Sequence, residues 1–484
     1  MLLIKDSHKL FEFKEYFKSP TRAISHLIDI FAVFSGKTII KGVFTFKSKG
    51  VPLTNLLQTL ILMPFLGAPN VSKLFKQHHK MFYEGKKDCL YDVLRNPNTN
   101  WRKLLLNFAK CFIKHTHKNT TEQGSSFFIA DDSDLEKRTP FFEGISRVFN
   151  HVTKSYPFAY KVLVLGYGDG KSFAPLDFSL HNEKGSKKNY GLTKNQRKEQ
   201  YVKDRDSRCH GTTRKKELRT PKGKNLIKMV KRAVKHGIIA DYLLTDSWFM
   251  CENMIHEVRK IKKGAIHVLS MCRMDRRKYT TPDGEFNATT LRKQNKHLIK
   301  RSRKYRATYI ELVVEYKGIK MKLFFVRLSK RSKWRLLVTT NTSLKFTEAY
   351  ALYSNRWAIE VFFKECKQLL GLGKNQSRDF DSQIASTTIS FIQYTILALH
   401  KRYEAYESIG GLFDTNKTAI AQQIFSDRIM ILIIELIEML VDILNLSVEL
   451  GDAISAIIDK TDIESKIGLV FSTHTSKGGK KIAA

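Results

Sequence analysis

The segment between residues 353 and 367 restricts the fold of this chain most, because its polar and apolar residues separate cleanly on a helix. At about 100° per residue, one narrow stripe of roughly 60° carries Tyr353, Arg356, Glu360 and Lys367. The neighbouring arc is apolar and carries Leu352, Ile359, Phe362, Phe363, Cys366, Leu369 and Leu370. The pattern predicts a helix that packs its apolar arc on a core and fixes one carboxylate between cations.

Two interpretations of this helix remain open at the level of sequence. Lys364 and Trp357 flank the polar stripe, so the helix could offer one acid to a metal ion and several donors to phosphates. The ordinary alternative is an amphipathic surface helix, in which Arg356 and Glu360 form an i, i+4 ion pair.

The charge of the chain indicates a polyanionic partner. Lys and Arg number 84 and Asp and Glu number 46 among 484 residues, which leaves a net charge of +38. Such an excess favours nucleic acid, with strongly salt-dependent binding, and an anionic membrane surface is the weaker alternative. It is too large for an ordinary enzyme of small molecules.

The cysteines and the apolar runs indicate an intracellular, soluble protein. The six cysteines contain no CxxC pair, which argues for reduced thiols and against a zinc site. The apolar run over residues 56–66 is too short to span a bilayer, and the first residues lack the apolar part of a signal peptide. We therefore expect no membrane association and a cytoplasmic location.

The first part of the chain, from residue 25 to about 117, has the periodicity of helices and little strand pattern. Residues 71–76 and 86–95 fit a helix-turn-helix whose second helix offers cations and Tyr91 to DNA. Any basic helical hairpin would look similar.

Two apolar strands run directly into carboxylates. Residues 124–130 lead into Asp131 and Asp132, and residues 240–245 lead into Asp246. A strand that ends in a carboxylate is a rigid mount for a metal ligand, whereas the ordinary alternative is a strand followed by an Asp-Ser turn.

The surrounding pattern predicts a mixed sheet. Residues 160–167 and 173–181 read as two further strands of an antiparallel meander, and a helix over 249–261 precedes a strand over 265–271. The order is therefore strand, strand, strand, helix, strand, helix, strand. Between the third and fourth strands, residues 184–235 contain 19 basic and 4 acidic residues, which predicts a charged loop that is mobile or ordered only on DNA, with a solvated loop without a partner as the alternative. Residues 224–236, at the end of this segment, read as a basic amphipathic helix that leads into the fourth strand.

Residues 275–335 alternate polar and β-branched side chains, which predicts a β-rich insertion with strands over 305–316 and 320–328. A return strand is predicted over 333–340, and Trp334 is its second residue. Beyond it, residues 383–403 and 418–446 read as apolar helices, and residues 473–484 as a disordered tail.

The spacing Tyr353, two residues, Arg356, three residues, Glu360, six residues, Lys367 resembles the Y-R-E-K signature of the insertion-sequence-4 type of DDE transposases. The two strand-end acids lie upstream in the expected order, and the β-rich insertion lies where those enzymes carry one. The resemblance implies an α/β fold, a ribonuclease H-like sheet with Asp131 on its first strand and Asp246 on its fourth.

The resemblance also implies the chemistry. Asp131, Asp246 and Glu360 would bind two Mg²⁺ ions, with Mn²⁺ able to substitute, and Asp131 would be shared between the ions. We prefer Asp131 to Asp132 because the family pattern places its acid two residues before Ser or Thr, as Asp131 stands before Ser133. The residues assigned to DNA are Tyr353, Arg356, Lys367 and Lys364, together with Trp334, which would stack on a displaced base or, equally well, pack in the core.

These inferences predict a prokaryotic, nucleoid-associated transposase that binds double-stranded DNA at the element ends and at the target, and forms a homodimer in the synaptic complex. We expect a helical DNA-binding domain over 1–120, a catalytic core over 121–272 and 333–405, the insertion over 273–332, and a helical C-terminal region over 406–484 with a possible dimer contact. The alternatives are a catalytically idle DNA-binding protein and a two-metal nuclease of the same fold without strand transfer.

Overall fold

In the computed structural model, the described residues are 34, 37–44, 50–77, 85–118, 124–403 and 408–421, with the single residues 432, 435, 436 and 439. They form two compact units, one from parts of residues 1–36, 49–91 and 406–484, the other from parts of 37–48 and 92–405. The predicted tail over 473–484, and most of the predicted helix over 418–446 with its dimer contact, lie outside the described residues.

The first unit is helical where it is described, as the sequence predicts. The helix over residues 53–62 buries Leu56 and Leu60, and Phe65 packs on Phe413 with 5.2 Å between the ring centroids. Its helices are α2 (Leu53–Leu62), α3 (Val71–Gln77), the start of α4 (Lys87–Arg95) and residues 409–421. The chain between α3 and α4 is described only from residue 85, so the helix-turn-helix remains a prediction.

The second unit carries a mixed sheet with helices on both faces. Its helices are α1 (Lys37–Ile40), α5 (Trp101–Lys118), α6 (Lys194–Lys198), α7 (His210–Glu217), α8 (Lys222–Lys235), α9 (Glu252–Lys260), α10 (Ala288–Gln294), α11 (Phe346–Ser354), α12 (Trp357–Gln368) and α13 (Phe380–Tyr403). Its strands are β1 (Phe127–Lys137), β2 (Ser146–Arg147), β3 (Phe158–Gly168), β4 (Phe173–His181), β5 (Tyr242–Thr245), β6 (His267–Cys272), β7 (Lys278–Thr281), β8 (Gly284–Asn287), β9 (Lys300–Ser302), β10 (Ala307–Tyr316), β11 (Ile319–Arg327) and β12 (Arg335–Thr339).

The central strands lie in the order β4, β3, β1, β5, β6. The meander β1, β3, β4 is antiparallel, and β5 and β6 pair in parallel with β1 and with each other. A short hydrogen-bonded turn joins β3 to β4, whereas residues 138–157, which include β2, join β1 to β3. α8 and α9 lie in the longer connections that precede the parallel strands β5 and β6. The predicted sequence of strands and helices is present.

The β-rich insertion extends this sheet. β12 is antiparallel to β6 on one side and to β11 on the other, and β10, β7 and β8 follow outward. Leu337 of β12, for example, lies between Met271 and Phe324. The predicted subdomain over 273–332 is thus β-rich but continuous with the main sheet, because its strands pair with β12, which itself pairs with β6.

Two helical layers cover the central strands. α5, α8 and α9 share one core with Phe128 and Leu163 on one face of the sheet. On the other face, α12 and α13 bury aromatic side chains, and Phe362 packs against Phe173 and Phe391 at 5.1 and 4.9 Å. α5 thus belongs with the sheet, although the sequence placed it in an N-terminal domain ending at residue 120.

The basic segment over 184–235 ends in the predicted helix, α8, but the part before it is not the mobile loop that its composition suggests. It contains α6, α7 and α8, and its cations pair with buried acids. Arg205 is only 3% exposed and donates to Glu143 at 2.6 Å and to Asp381 at 2.9 Å. These two acids lie outside the segment in sequence, so the composition of the segment alone does not show that its cations are paired.

The signature segment is also divided. α11 ends at Ser354 and α12 begins at Trp357, and the N–H groups of Arg356 and Ala358 donate to carbonyls three residues back. The expected single helix is therefore two helices joined by a tight turn. The apolar arc is buried as predicted, with Ile359, Phe362 and Cys366 each fully inaccessible. In the described part of the chain, no helix has the length and apolar character to cross a bilayer.

Candidate active site

The register of the sheet brings Asp131 and Asp246 to the same level. Phe127 to Ile129 of β1 pair in parallel with Tyr242 to Leu244 of β5, so two further residues along each chain lead to these two acids. Adjacent strands lie about 4.8 Å apart. Asp131 is not at the end of its strand, as the sequence suggested, because β1 continues to Lys137. It lies where pairing with β5 stops, which leaves its carboxylate beside the end of β5.

Arg356 joins Asp131 to Glu360. Its Nη1 atom lies 2.7 Å from Oδ2 of Asp131, and its Nη2 group donates to Oε1 of Glu360. Arg356 occupies the turn between α11 and α12, and Glu360 is in the first turn of α12. The i, i+4 pair predicted from sequence is present, but the same guanidinium also reaches an acid 225 residues away.

Asp131 is largely buried, with 19% of its side chain exposed. Burial raises the pKa of Asp131 to about 6, with further contributions from the charges of Asp246 and Asp132. The Arg356 charge and the backbone N–H of Asp132 oppose this rise. A carboxylate in this setting is stabilised by additional positive charge.

Two other signature residues contact strands of the same edge. The hydroxyl of Tyr353 donates to the carbonyl of Thr245 at 3.2 Å, directly before Asp246. Nζ of Lys367 donates to Oγ of Ser133 at 2.8 Å, two residues beyond Asp131. Burial raises the pKa of Tyr353 and lowers the pKa of Lys367. The sequence pattern used Ser133 only to choose between Asp131 and Asp132, whereas in the structure its hydroxyl accepts a hydrogen bond from the Lys367 ammonium and positions it.

Asp132 occupies the opposite face of β1, because successive strand residues alternate. Its Oδ2 atom pairs with Nζ of Lys222 at 2.5 Å, and that ammonium lies 4.4 Å from the ring centroid of Trp248. Trp248 is half exposed, and its backbone N–H donates to Oδ1 of Asp246 at 3.0 Å. Sequence reasoning missed Lys222 and Trp248; the position of Trp248 two residues after Asp246 was the available signal.

The remaining predicted residues lie apart from the acids. Lys364 is exposed on α12. Trp334 precedes β12, which is two strands from β5, and it is half buried against the core. The guanidinium carbons of Arg327 and Arg292 lie 4.8 and 5.5 Å from its ring centroid. The structure therefore brings six of the eight predicted residues to one cluster and places Lys364 and Trp334 outside it.

Asp246 reaches the cluster through the register of β1 and β5, and among the described ion pairs of Arg356 none involves Asp246. Among the described residues, no three His, Cys, Asp or Glu side chains converge as a metal-binding group. The oxygens of Asp131, Asp246 and Glu360 are nevertheless the ligand type that Mg²⁺ prefers, and the raised pKa of Asp131 fits a site that accepts a cation. In this arrangement the Arg356 guanidinium supplies that charge.

Comparison with known families adds an independent finding. The family of the transposase DDE domain matches residues 166–396. The match includes Asp246, Trp334 and the whole signature segment, whereas Asp131 precedes its first residue. No curated protein matches the chain. The family match supports a DDE transposase and hence a DNA substrate; the chain is similar to this family over a little less than half of its length.

Proposed function

We propose that the chain is a DNA transposase of the insertion-sequence-4 type, which cleaves the ends of its element and joins the freed 3′ ends to target DNA. The observation that carries this proposal is the cluster of Asp131, Asp246, Arg356 and Glu360, built from three distant parts of the chain. The strand order β4, β3, β1, β5, β6 supports a ribonuclease H-like core, with the first acid on the first strand and the second after the fourth strand of that core.

The acids would hold two Mg²⁺ ions, Asp246 and Glu360 each completing one ligand set and Asp131 contributing to both. Bound there, such ions activate a water or a 3′-hydroxyl and stabilise the leaving oxygen at phosphorus. The chain's own task is to hold these carboxylates fixed against mutual repulsion. The packed α12 fixes Glu360, and the sheet fixes Asp131 and Asp246.

The cations of the signature segment would hold DNA. Arg356, which lies against two of these acids, would contact a phosphate through the parallel donors of its guanidinium group. Lys367, held by Ser133, and exposed Lys364 contact phosphates on either side, and Tyr353 orients the turn through its bond to Thr245. The net charge of +38 attracts the DNA.

Two other functions compete. A catalytically idle DNA-binding protein would keep the charge but not need the acids, and a nuclease of the same fold would cut without joining. The three acids and Arg356 in one cluster favour an enzyme, because a binding protein gains nothing from carboxylates placed near a DNA phosphate.

The test is Mg²⁺-dependent excision and joining from a plasmid that carries this gene with its native flanks. The wild type should excise at defined ends, and Glu360→Gln should abolish cleavage. Glu365→Gln, on the same helix but outside the acid cluster, is the matched control and should remain active. Binding without cleavage by the wild type would support the idle protein, and cleavage without joining would support the nuclease.

A further inference from the structure

A cavity of about 40 Å³ lies in the second unit, away from the acid cluster, between the start of α5, the first turn of α7 and the first turn of α13. Its floor contains Thr99, Trp101 and Arg214, which are 3–5% exposed. Its rim contains exposed His210 and Thr213. The volume corresponds to about three water molecules, which is also the scale of a tetrahedral oxyanion.

Arg214 lines this cavity, and one edge of its guanidinium group has no hydrogen-bond partner among the described residues. Its Nη1 group makes the observed bonds, to the carbonyl of Phe178 at 2.5 Å and to Glu217 at 3.3 Å. Nε and Nη2 are buried and have no hydrogen-bond partner among the described residues. Nε–H and Nη2–H are parallel donors on one side of the guanidinium, the pair that binds an oxyanion through two bonds.

Two neutral donors line the same floor. The indole Nε1 of Trp101 and the hydroxyl of Thr99 are buried, and neither has a partner in the part of the chain that the structure describes. Buried polar groups in proteins are almost always hydrogen bonded. Three residues with unpaired donors around one cavity therefore indicate a ligand that accepts hydrogen bonds.

The charges around the floor favour an anion. Arg102, Arg214 and Arg232 surround two buried carboxylates, Asp177 and Glu217, so positive charge is in excess. Asp381 also lines the cavity, but its Oδ2 atom is held by Lys203 and Arg205.

The close approach of α7 to the cavity depends on a glycine. A Cβ atom at Gly211 would lie 2.3 Å from Oδ1 of Asp381 and 2.9 Å from Cβ of Pro97. The absence of that atom lets the first turn of α7 sit at the cavity, where the positive end of the helix dipole adds to the attraction for an anion.

We propose that this cavity binds a phosphate group, through Nε and Nη2 of Arg214, Nε1 of Trp101 and Oγ1 of Thr99. The phosphate belongs to the backbone of the bound DNA, a choice of source that rests on the proposed function. β4, beside which Arg214 packs, is two strands or about 10 Å from β1, so a phosphate here would lie a few nucleotides from the one at Asp131.

Phosphate binding is tested first without DNA. The full chain is titrated with inorganic phosphate by calorimetry at constant ionic strength, as wild type, Thr99→Val and Trp101→Phe. Each variant removes one donor and no charge, so altered affinity cannot follow from net charge. Saturable 1:1 binding is expected, weakened about tenfold by each variant at unchanged melting temperature. Thr395→Val, a buried threonine of α13 bonded to the carbonyl of Phe391, should bind as the wild type does.

The absence of saturable binding by the wild type, or equal binding by all four proteins, would overturn the proposal and leave a cavity for water. The second arm measures the affinity of the Thr99→Val, Trp101→Phe double variant for a duplex of the excised end. A tenfold or larger loss supports a DNA phosphate, and an unchanged affinity overturns DNA as the source in favour of a free phosphate compound. Because the first arm uses no DNA and no cleavage, its result does not depend on transposase activity.

Discussion

Two clusters of acids and arginines in the second unit contrast with each other. At the candidate active site, Arg356 pairs with both Asp131 and Glu360, and a third acid, Asp246, lies beside them. On the helical side of β4, Arg102, Arg214 and Arg232 surround Asp177 and Glu217. One cluster has an excess of carboxylates and the other an excess of guanidinium groups.

The excess of arginines in one cluster and of carboxylates in the other gives their acids different pKa values. Although burial opposes it, the three arginines hold the pKa of Asp177 down at about 2, whereas burial raises the pKa of Asp131 to about 6. Asp177 is thus a fully paired structural anion. Asp131 lacks enough positive charge within the protein, which fits a group that works together with a bound cation. Charge balance, and not the presence of an ion pair, therefore separates the two roles.

The largest effect is expected from removing the charge of one acid at the candidate active site. Asp131→Asn should lower the rate of end cleavage by about 10⁴-fold or more, since a ligand shared by both ions would be lost. Asp132→Asn removes the neighbouring charge on the other face of β1 and should retain activity. Plasmid excision measures both, and loss of activity in Asp132→Asn alone would assign the first acid to Asp132 instead.

Removing the charge of Asp177, in the arginine-rich cluster, should lower the stability of the fold. Asp177→Asn leaves Arg102, Arg214 and Arg232 with one carboxylate, and Arg214 is buried, so we expect the free energy of unfolding to fall by about 3–5 kcal/mol. Urea denaturation measures the loss. Asp131→Asn is its control and should cost far less, because Arg356 is the only cation that pairs with Asp131 among the residues that the structure describes. Equal losses in the two variants would contradict the distinction between the clusters.

The low pKa of Asp177 also predicts an acid dependence. Because its folded pKa lies below its ordinary value of 3.8, Asp177 stabilises the fold above about pH 4 and loses this contribution as the pH falls toward 2. The contribution is about 2 kcal/mol. The stability difference between wild type and Asp177→Asn should therefore shrink by roughly this amount from pH 5 to pH 2. A constant difference over that range would mean that Asp177 is not held ionised by its arginines.

The smallest expected effect concerns exposed cations. Lys364→Ala should weaken DNA binding only a few-fold and lower the slope of log K against log salt by about one, because it removes one phosphate contact. Lys231→Ala, an exposed lysine of α8 that pairs with Glu257, is the matched control. Fluorescence anisotropy at several salt concentrations measures both slopes, and equal slopes in the two variants would remove Lys364 from the proposed DNA contact.

The sequence predicted the parts whose signal is local. The strands around Asp131 and Asp246, the buried arc from Ile359 to Cys366 and the β-rich character of 273–332 follow from side-chain periodicity, which reports burial directly. The resemblance of Tyr353 to Lys367 to a transposase signature agrees with the transposase DDE domain that matches this region. The roles of the individual site residues remain predictions.

Tertiary structure decided what depends on partners far along the chain. The basic segment looked mobile because Glu143, Asp177 and Asp381, which hold Arg205 and Arg214, lie outside it in sequence. The pairing of Arg356 with Asp131 likewise depends on how α12 packs against β1. The local sequence shows which residues are charged and which favour burial or a strand. Only the fold determines which charges meet, because the energy of an ion pair depends on its distance and burial, and no local sequence pattern contains either.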